Sequence, residues 1–312
     1  MRLFITGLAI TAISLTTLFV LQRRKDSLPD GPERITKTML WKASTGKATV
    51  WLAGSIHVLR ESDYPLPEPW RRAWDDAAIV VMETKPGSSE NPDVQKESIA
   101  LSSLPAGQSI DSLLSKETKS ALAAWCTESG VAIDSFRQSK PWMASLRIGM
   151  TTLDRLGFSA ARGIERHLGA RLGSHRTVGL ETTAESLGIL DSLSPTEQDQ
   201  LVATAIRDAR TAPTRIAQLA EAWHEGDAAS LDALLREGFK DFPQLRRRLI
   251  DDRNAAWLPK IRSLLNGSEN AIVIVGSGHL AGPDSLVDLL AKEGVALTQQ
   301  EHTTRRPAPA TH

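Results

Sequence analysis

The sequence predicts a mixed α/β fold: a mainly parallel sheet interrupted by a large helical insertion. Three observations predict it. Apolar, β-rich runs sit at the two ends of the chain, VWLAG and AIVVMET early and AIVIVG late. Such unbroken runs are the pattern of strands covered on both faces. Between them lies a long stretch whose apolar residues recur at helical spacing. The order VWLAG, PLPEPWRRAWDDA, AIVVMET is strand, helix, strand, the sequence of a parallel βαβ unit.

TMLWKASTGKATVWLAG opens the fold as a hairpin, with Thr45-Gly46 as its turn and a second arm ending at Gly54. A helix is expected to start near Pro67 to Pro69, and the strand AIVVMET ends in Glu83. From KPGSSENPDVQKES to SLPAGQS, the Pro, Gly, Ser and charged residues predict a surface loop or flap. Helices are then expected in ETKSALAAWCTES, PWMASLRIGMTTLDRLG, GIERHLGARLG, SPTEQDQLVATAIRDA, RIAQLAEAWHEG and FPQLRRRLIDDRNAAWLPKIRSLL, with one short strand, Thr177 to Glu181. AIVIVGSGH returns to the sheet, and a helix in PDSLVDLLAKEG and a last strand in VALTQQ follow. Six tryptophans fall in helical segments, where core packing is their default role.

The 312 residues hold 37 Lys and Arg against 37 Asp and Glu. That balance argues against general affinity for nucleic acid and leaves a small molecule, a peptide or a metal as the expected partner. A single cysteine, Cys126, excludes an internal disulfide and any multi-cysteine metal site, and its helical context reads as apolar packing. Leu3 to Leu21 carries no charge and has the length of a membrane span, followed at once by Arg23, Arg24 and Lys25. LQRRKDS offers no good cleavage site, so residues 1–25 read as an uncleaved anchor. Residues 26–37 read as a linker, 38–300 as the folded domain and 301–312 as a disordered tail. The basic residues after the span argue for a body on the cytoplasmic side.

The chemistry concentrates in an internal echo. WLAGSIHVLR and AIVIVGSGHL each place strand, Gly, Ser, any residue and His in order, at His57 and His279. One Gly-x-x-His is a common turn with a hydrogen-bonded imidazole. Two copies at the carboxyl ends of strands in one parallel sheet would bring both rings to one edge, where open α/β folds collect ligands. Imidazoles there would suit a divalent ion (Mn, Co or Zn), and carboxylates would be needed beside them to offset its charge. Glu83 and Glu181 each end an apolar strand and are the candidates, against the alternative of solvated strand-end charges. Arg253 could steady an oxyanion or pair with Asp251 or Asp252; Asn254 could orient a ligand or cap a turn. His167, His175 and His224 lack partner motifs and read as structural.

Taken in order, LAGSIHVL with YPLP, VVMET, KPW at Lys140 to Trp142, GIERHL, VGLET, AWHEGD, DDRNAAW and VGSGHLAG resemble the TraB/GumN family. The resemblance runs from about Met39 to Gln299. That family includes pheromone-shutdown proteins and the Tiki metalloproteases. It implies an erythromycin-esterase/Tiki-like core, His57 and His279 as metal ligands or catalytic groups, Glu83 as the strand-end acid, and Arg253-Asn254 as the family's Arg-Asn pair. The family pattern carries Asp where this chain has Glu165, one methylene longer, so no role carries over to Glu165. Many members have an export signal, which implies an extracytoplasmic body.

The expected function is a membrane-anchored, divalent-metal-dependent hydrolase of peptides or small molecules. Two alternatives stand beside it: a non-catalytic protein that binds a peptide or signal, and an esterase-like enzyme using His57 as a metal-free general base. The anchor reading predicts that the full-length protein stays with membranes through a carbonate wash, and that removal of residues 1–25 releases a folded soluble body. Recovery from cells of a shortened, freely soluble chain would show a cleaved signal instead.

Overall fold

The structure, a computed structural model, describes residues 30–307. The expected anchor, the first part of the linker and residues 308–312 lie outside the described residues. Among those described, no helix is long and apolar enough to cross a membrane. The chain divides into two compact units: Lys37–Glu301, which contains the site, and a second that holds the described residues 30–36 and 302–307.

β1 (Asp30–Ser44) and β2 (Thr49–Ser55) form the expected antiparallel hairpin, in register from Leu40 opposite Ala53 to Ser44 opposite Thr49. Gly46 takes φ +91° in the turn, a conformation that favours glycine. β1 begins before the expected arm, at Asp30, and the last strand continues to Pro307, through part of the stretch expected as a tail. α1 (Glu68–Asp76) follows Pro67, and β3 (Ile79–Thr84) carries Glu83 near its end.

The stretch expected as a flap contains α2 (Pro92–Ser102). Asn91 caps it by accepting from the Asp93 N–H, and Pro92 begins the helix. None of its residues is fully buried, so its apolar periodicity is too weak to read. The remaining elements are α3 (Lys116–Ser129), α4 (Pro141–Arg155), α5 (Ile164–Gly169), β4 (Arg176–Glu181), α6 (Thr183–Asp191), α7 (Pro195–Ala209), α8 (Ala212–His224) and α9 (Ala228–Gly238). α10 (Pro243–Arg246), a π-helical turn (Arg247–Asp251), α11 (Asp252–Leu265), β5 (Ala271–Gly276), α12 (Leu286–Lys292) and β6 (Ala296–Pro307) complete the fold. α6 and α9 add to the helices read from the sequence.

The result is a mixed α/β fold on a six-stranded sheet of order β4-β3-β5-β2-β1-β6. β4, β3, β5 and β2 run parallel, and β1 is antiparallel to β2. β2, α1 and β3 make the expected crossover, but β5 enters from the far end of the chain to lie between the two strands. The first five residues of β5 are wholly buried, which explains its unbroken Ala-Ile-Val-Ile-Val run. Four parallel strands thus end at one edge, carrying His57, Glu83, Glu181 and the turn to His279.

Helices cover the sheet with large rings. Trp70 of α1, Trp223 of α8 and Trp257 of α11 belong to the main core, and Trp142, Trp125 and Cys126 are also buried. A second apolar cluster joins α3, α4 and α7 through Leu122, Trp125, Phe136, Ile148, Val202 and Ile206. The Trp223 indole donates to the Gly54 carbonyl at 2.7 Å, tying α8 to the end of β2. Trp223→Phe leaves that buried acceptor without this donor and is expected to lower unfolding free energy by about 1–3 kcal/mol. Denaturant unfolding checks this, and a change within error would show that the bond contributes nothing net.

Candidate active site

The two histidines of the internal echo take unlike positions. β2 and β5 align with Ser55 opposite Gly276, so the two Gly-Ser steps are offset by one residue. After Gly276 the chain turns into a short 3₁₀ helix, Ser277–Leu280, which carries His279 to full burial. After β2 the chain bends outward, and the His57 side chain is 65% exposed.

His279 is held from both ring nitrogens. The Asn254 amide nitrogen donates to the Asp284 carbonyl at 3.0 Å, which leaves Asn254 Oδ1 as acceptor for His279 Nδ1 at 2.7 Å. That network assigns the proton to Nδ1 and leaves a lone pair on Nε2. Arg253 Nη1 donates to this Nε2 at 3.2 Å. Burial, reinforced by Arg253 and His57 against the pull of Glu83, lowers the His279 pKa to about 3. His279 is therefore neutral at physiological pH.

Arg253 is the hub. Its Nε and Nη2 grip Glu181 at 3.1 and 2.7 Å, and Nη2 also reaches Glu83 at 2.5 Å. Nη1 donates to the Leu249 carbonyl at 2.9 Å as well as to His279. All five guanidinium N–H groups are thus engaged. The guanidinium packs 4.5 Å from the centre of the Trp257 ring, which stacks obliquely on His279 at 4.6 Å. Arg253 is 12% exposed, so it lies inside the cluster and not at its rim. Asp251 and Asp252, its sequence-predicted partners, pair with Arg246 and Arg247 instead. The π turn directly before α11 accompanies this arrangement, and such wide turns recur at functional sites.

Glu83 accepts the Gly276 N–H on Oε1 at 2.7 Å and Arg253 on Oε2. Burial by itself would raise its pKa; the charge it meets from His279, Arg253 and His57, with the Gly276 N–H, reverses this and holds it at about 2. Because His279 is neutral, Arg253 and protonated His57 are the standing parts of that charge. Glu181, expected as a metal ligand, has both oxygens taken by Arg253.

Sequence reasoning gave Glu165 no role, yet the structure places it against His57. His57 Nδ1 donates to Glu165 Oε1 at 2.9 Å, and the Ser55 hydroxyl donates to the same oxygen. Glu165 reaches this position because α5 docks on the loop after β2: Ile164 N–H donates to the Ile56 carbonyl at 3.1 Å, and a Cβ on Gly163 would lie 2.2 Å from the His57 carbonyl oxygen. Only glycine permits that approach. The attraction of Glu165 raises the His57 pKa to about 9, though water at the exposed ring screens part of it. Glu165 is held low: its burial works upward, and His57 and Ser55 overcome it. The signal in the sequence was GIERHL itself, where the extra methylene of Glu proves compatible with contact.

Three of the four predicted ligands meet around Gly276. A Cβ there would lie 3.3 Å from Glu83 Oε1, 3.4 Å from His57 Nε2 and 3.7 Å from His279 Cδ2. Glycine keeps this point free of side-chain atoms. His279 Nε2 is 3.9 Å from Glu83 Oε1, and among the described residues no three His, Cys, Asp or Glu side chains close into a coordination shell. In donor chemistry the residues fit a divalent ion: an imidazole nitrogen whose partner nitrogen is fixed by a carboxylate, and a carboxylate oxygen beside it. Charge fits as well. The cluster holds three carboxylates, Glu83 and Glu181 on Arg253 and Glu165 on His57, against one guanidinium, which leaves two negative charges when His57 is neutral. A proton on His57 offsets one of them.

Other motifs make contacts of their own. His224 Nε2 lies 3.2 Å from Asp63, which Arg60 also holds, and His167 stacks on Tyr64 at 4.2 Å. KPW serves the helical layer, since Lys140 and Trp142 both bond Asp191. A cleft of about 390 Å³ has Glu181, Arg253 and Trp257 in its wall.

Fold and cluster together define an α/β protein with a histidine, glutamate and arginine cluster at the carboxyl edge of its parallel strands. The chain belongs to the TraB/PrgY/gumN family, whose pattern matches residues 39–299. It is similar to the uncharacterized protein YbaP of Escherichia coli (strain K12), 24% identical over 267 residues that cover 80% of this chain and 96% of that one. YbaP of Shigella flexneri matches with the same figures, and an uncharacterized protein of Treponema pallidum (strain Nichols) is 20% identical over 268 residues, covering 81% of this chain and 80% of its own. No solved structure matches the chain.

These couplings set a pH optimum for stability. The raised His57 contributes fully below about 6.5 and loses its contribution as pH climbs through about 9. Depressed Glu83 contributes above 4.5 and loses it as pH falls toward about 2, while neutral, buried His279 is penalised as pH drops below 6.5. Metal-free protein is expected to melt highest near pH 6.5, with Glu165→Gln flattening the alkaline limb and returning the His57 titration, read by NMR, toward 6.5. A wild-type His57 that titrates at 6.5 would show that the ion pair does not form.

Proposed function

We propose that this chain is a hydrolase acting on peptide-like carbonyl substrates at the carboxyl edge of its sheet, with a divalent ion held by His57 and Glu83 and with His279 beside them. The observation that carries the reading is the meeting of His57 Nε2, Glu83 Oε1 and His279 around the bare Gly276, inside a cluster short of positive charge. When bound, the ion would acidify a water and polarise a carbonyl.

The protein's own groups do the rest. Glu165 and Ser55 hold His57 by Nδ1 and so aim Nε2. Arg253 fixes the Glu83 carboxylate and, having no N–H to spare, acts as a positioning residue and not as an oxyanion donor. Asn254 sets the His279 tautomer, so the proton sits away from Nε2. The uncharged Leu3 to Leu21 supports an anchored protein, and the family resemblance supports an extracytoplasmic body of the erythromycin-esterase/Tiki type.

Metal stoichiometry and chelator-sensitive peptide hydrolysis test the proposal. His57→Ala and Glu83→Gln are each expected to lose most bound Mn, Co or Zn, and affinity should fall as pH drops below about 9, where a proton competes with the ion for His57. Glu165→Gln should weaken binding by about 10–100-fold, the usual effect of removing a carboxylate behind a histidine ligand. Equal metal retention by wild type and both ligand variants would sink the assignment, and tight peptide binding without turnover would identify a non-catalytic binder.

A further inference from the structure

One backbone outlier stands beside the cluster. Asp284, in the loop between the 3₁₀ helix and α12, takes φ +60° and is the sole non-glycine residue with positive φ among the described residues. Such strain persists where the surroundings over-determine it, and it collects at functional sites. The Ser285 N–H reaches the Gly282 carbonyl at 3.4 Å, closing a turn with Pro283 and Asp284 at its centre. Proline second and positive φ third is the type II pattern, whose third position normally takes Gly or Asn. α12 holds Asp284 there: Asp288 Oδ2 accepts its N–H at 2.9 Å, and Lys292 Nζ donates to its carboxylate at 3.2 Å.

The side chain of Asp284 is 62% exposed, but its carbonyl reaches the fully buried Asn254, accepting from Nδ2 at 3.0 Å. The same Nδ2 lies 3.5 Å from the His279 carbonyl, a much weaker contact. An asparagine amide turned by 180° fills the same space, so only its hydrogen-bond partners tell the two orientations apart. The Asp284 carbonyl is the partner that does so.

Every later bond takes its direction from that one. Asn254 Oδ1 accepts from His279 Nδ1, Nε2 is left as an acceptor, Arg253 Nη1 donates to it, and Arg253 Nη2 holds Glu83. A turned amide would present a donor to Nδ1 and move the ring proton to Nε2. Two N–H groups, from His279 and Arg253, would then face each other in a buried place.

We propose that Asp284 is a positioning residue of the site: its left-handed backbone presents the carbonyl that orients Asn254 and, through Asn254, selects the His279 tautomer on which Arg253 and Glu83 rest. The inference depends on the hydrolytic reading only for its effect on metal binding and turnover. The selection of the tautomer does not need that reading.

Histidine-selective ¹⁵N NMR of the purified full-length protein tests it, since a protonated ring nitrogen and one with a free lone pair resonate far apart. His279→Gln assigns the signals. Wild type should show His279 protonated on Nδ1 and bare on Nε2. Asp284→Pro, which fixes φ at about −65°, should move the proton to Nε2 or divide it between the two nitrogens. Asp284→Val, disfavoured at positive φ by its branched Cβ, should shift the balance the same way, and it decides the matter should the proline variant not fold. Asp284→Gly and Asp284→Asn accept the original φ and should keep the wild-type tautomer, although both remove the carboxylate that Lys292 holds. That rescue separates the carbonyl from the side chain. Mn affinity should fall about tenfold or more in the proline and valine variants, as for other groups that orient a metal site from behind. If wild type binds no Mn and cleaves no peptide while the tautomer still follows residue 284, the hydrolase reading fails and this one stands. An unchanged tautomer in the folded proline or valine variant, or an altered one in Asp284→Gly, would overturn it.

Discussion

The buried Arg253 guanidinium is the constraint on which the site depends. It binds glutamates from the ends of two strands, β3 and β4, a carbonyl of the preceding π turn, and the free nitrogen of His279. A charge so enclosed is tolerable only with opposite charge and full hydrogen bonding around it, and Arg253 has both. Loss of Arg253 would leave two glutamates uncompensated in a place that water scarcely reaches. The sheet edge and α11 are therefore joined by electrostatics as much as by the Trp257 packing beneath.

Around that fixed core the histidines divide the work. His279 is sealed and neutral, its tautomer set by an asparagine whose own orientation is set by a backbone carbonyl. His57 is open on one side and charged through Glu165. The difference arises from one residue of register between β2 and β5 and from the tight turn after Gly276. Two glycines make the assembly sterically feasible: Gly163 lets α5 touch the His57 backbone, and Gly276 leaves space among the three side chains.

Much of this was legible in the sequence. Continuous apolar runs located the buried strands, and strand-end position nominated His57, Glu83, Glu181 and His279, all of which do gather at one edge. Arg253 and Asn254 were singled out too. Their partners were not, because a helix interior gives no sign of which distant carboxylates its residues will face. Nearby Asp251 and Asp252 looked like natural mates for Arg253, but on a helix neighbours one and two positions away point elsewhere. Glu165 was passed over for a similar reason. Its contact with His57 is made across the packing of α5 on a loop a hundred residues earlier, and the extra methylene could be judged only against the distance it had to cover. α2 escaped notice because an exposed helix carries little apolar periodicity, although Asn91-Pro92 marked its start.

By itself the sequence determined the mixed α/β class, the edge on which the chemistry gathers and the kinds of group available there. These follow from short-range patterns: side-chain period, strand length, and glycine where backbones turn. Tertiary structure alone decided that β5 enters between β2 and β3, that Arg253 is spent on holding carboxylates, and that Glu165 backs His57. Each of those depends on contacts between residues far apart in the chain, set by the packing of helices on a finished sheet, and no local pattern encodes such contacts.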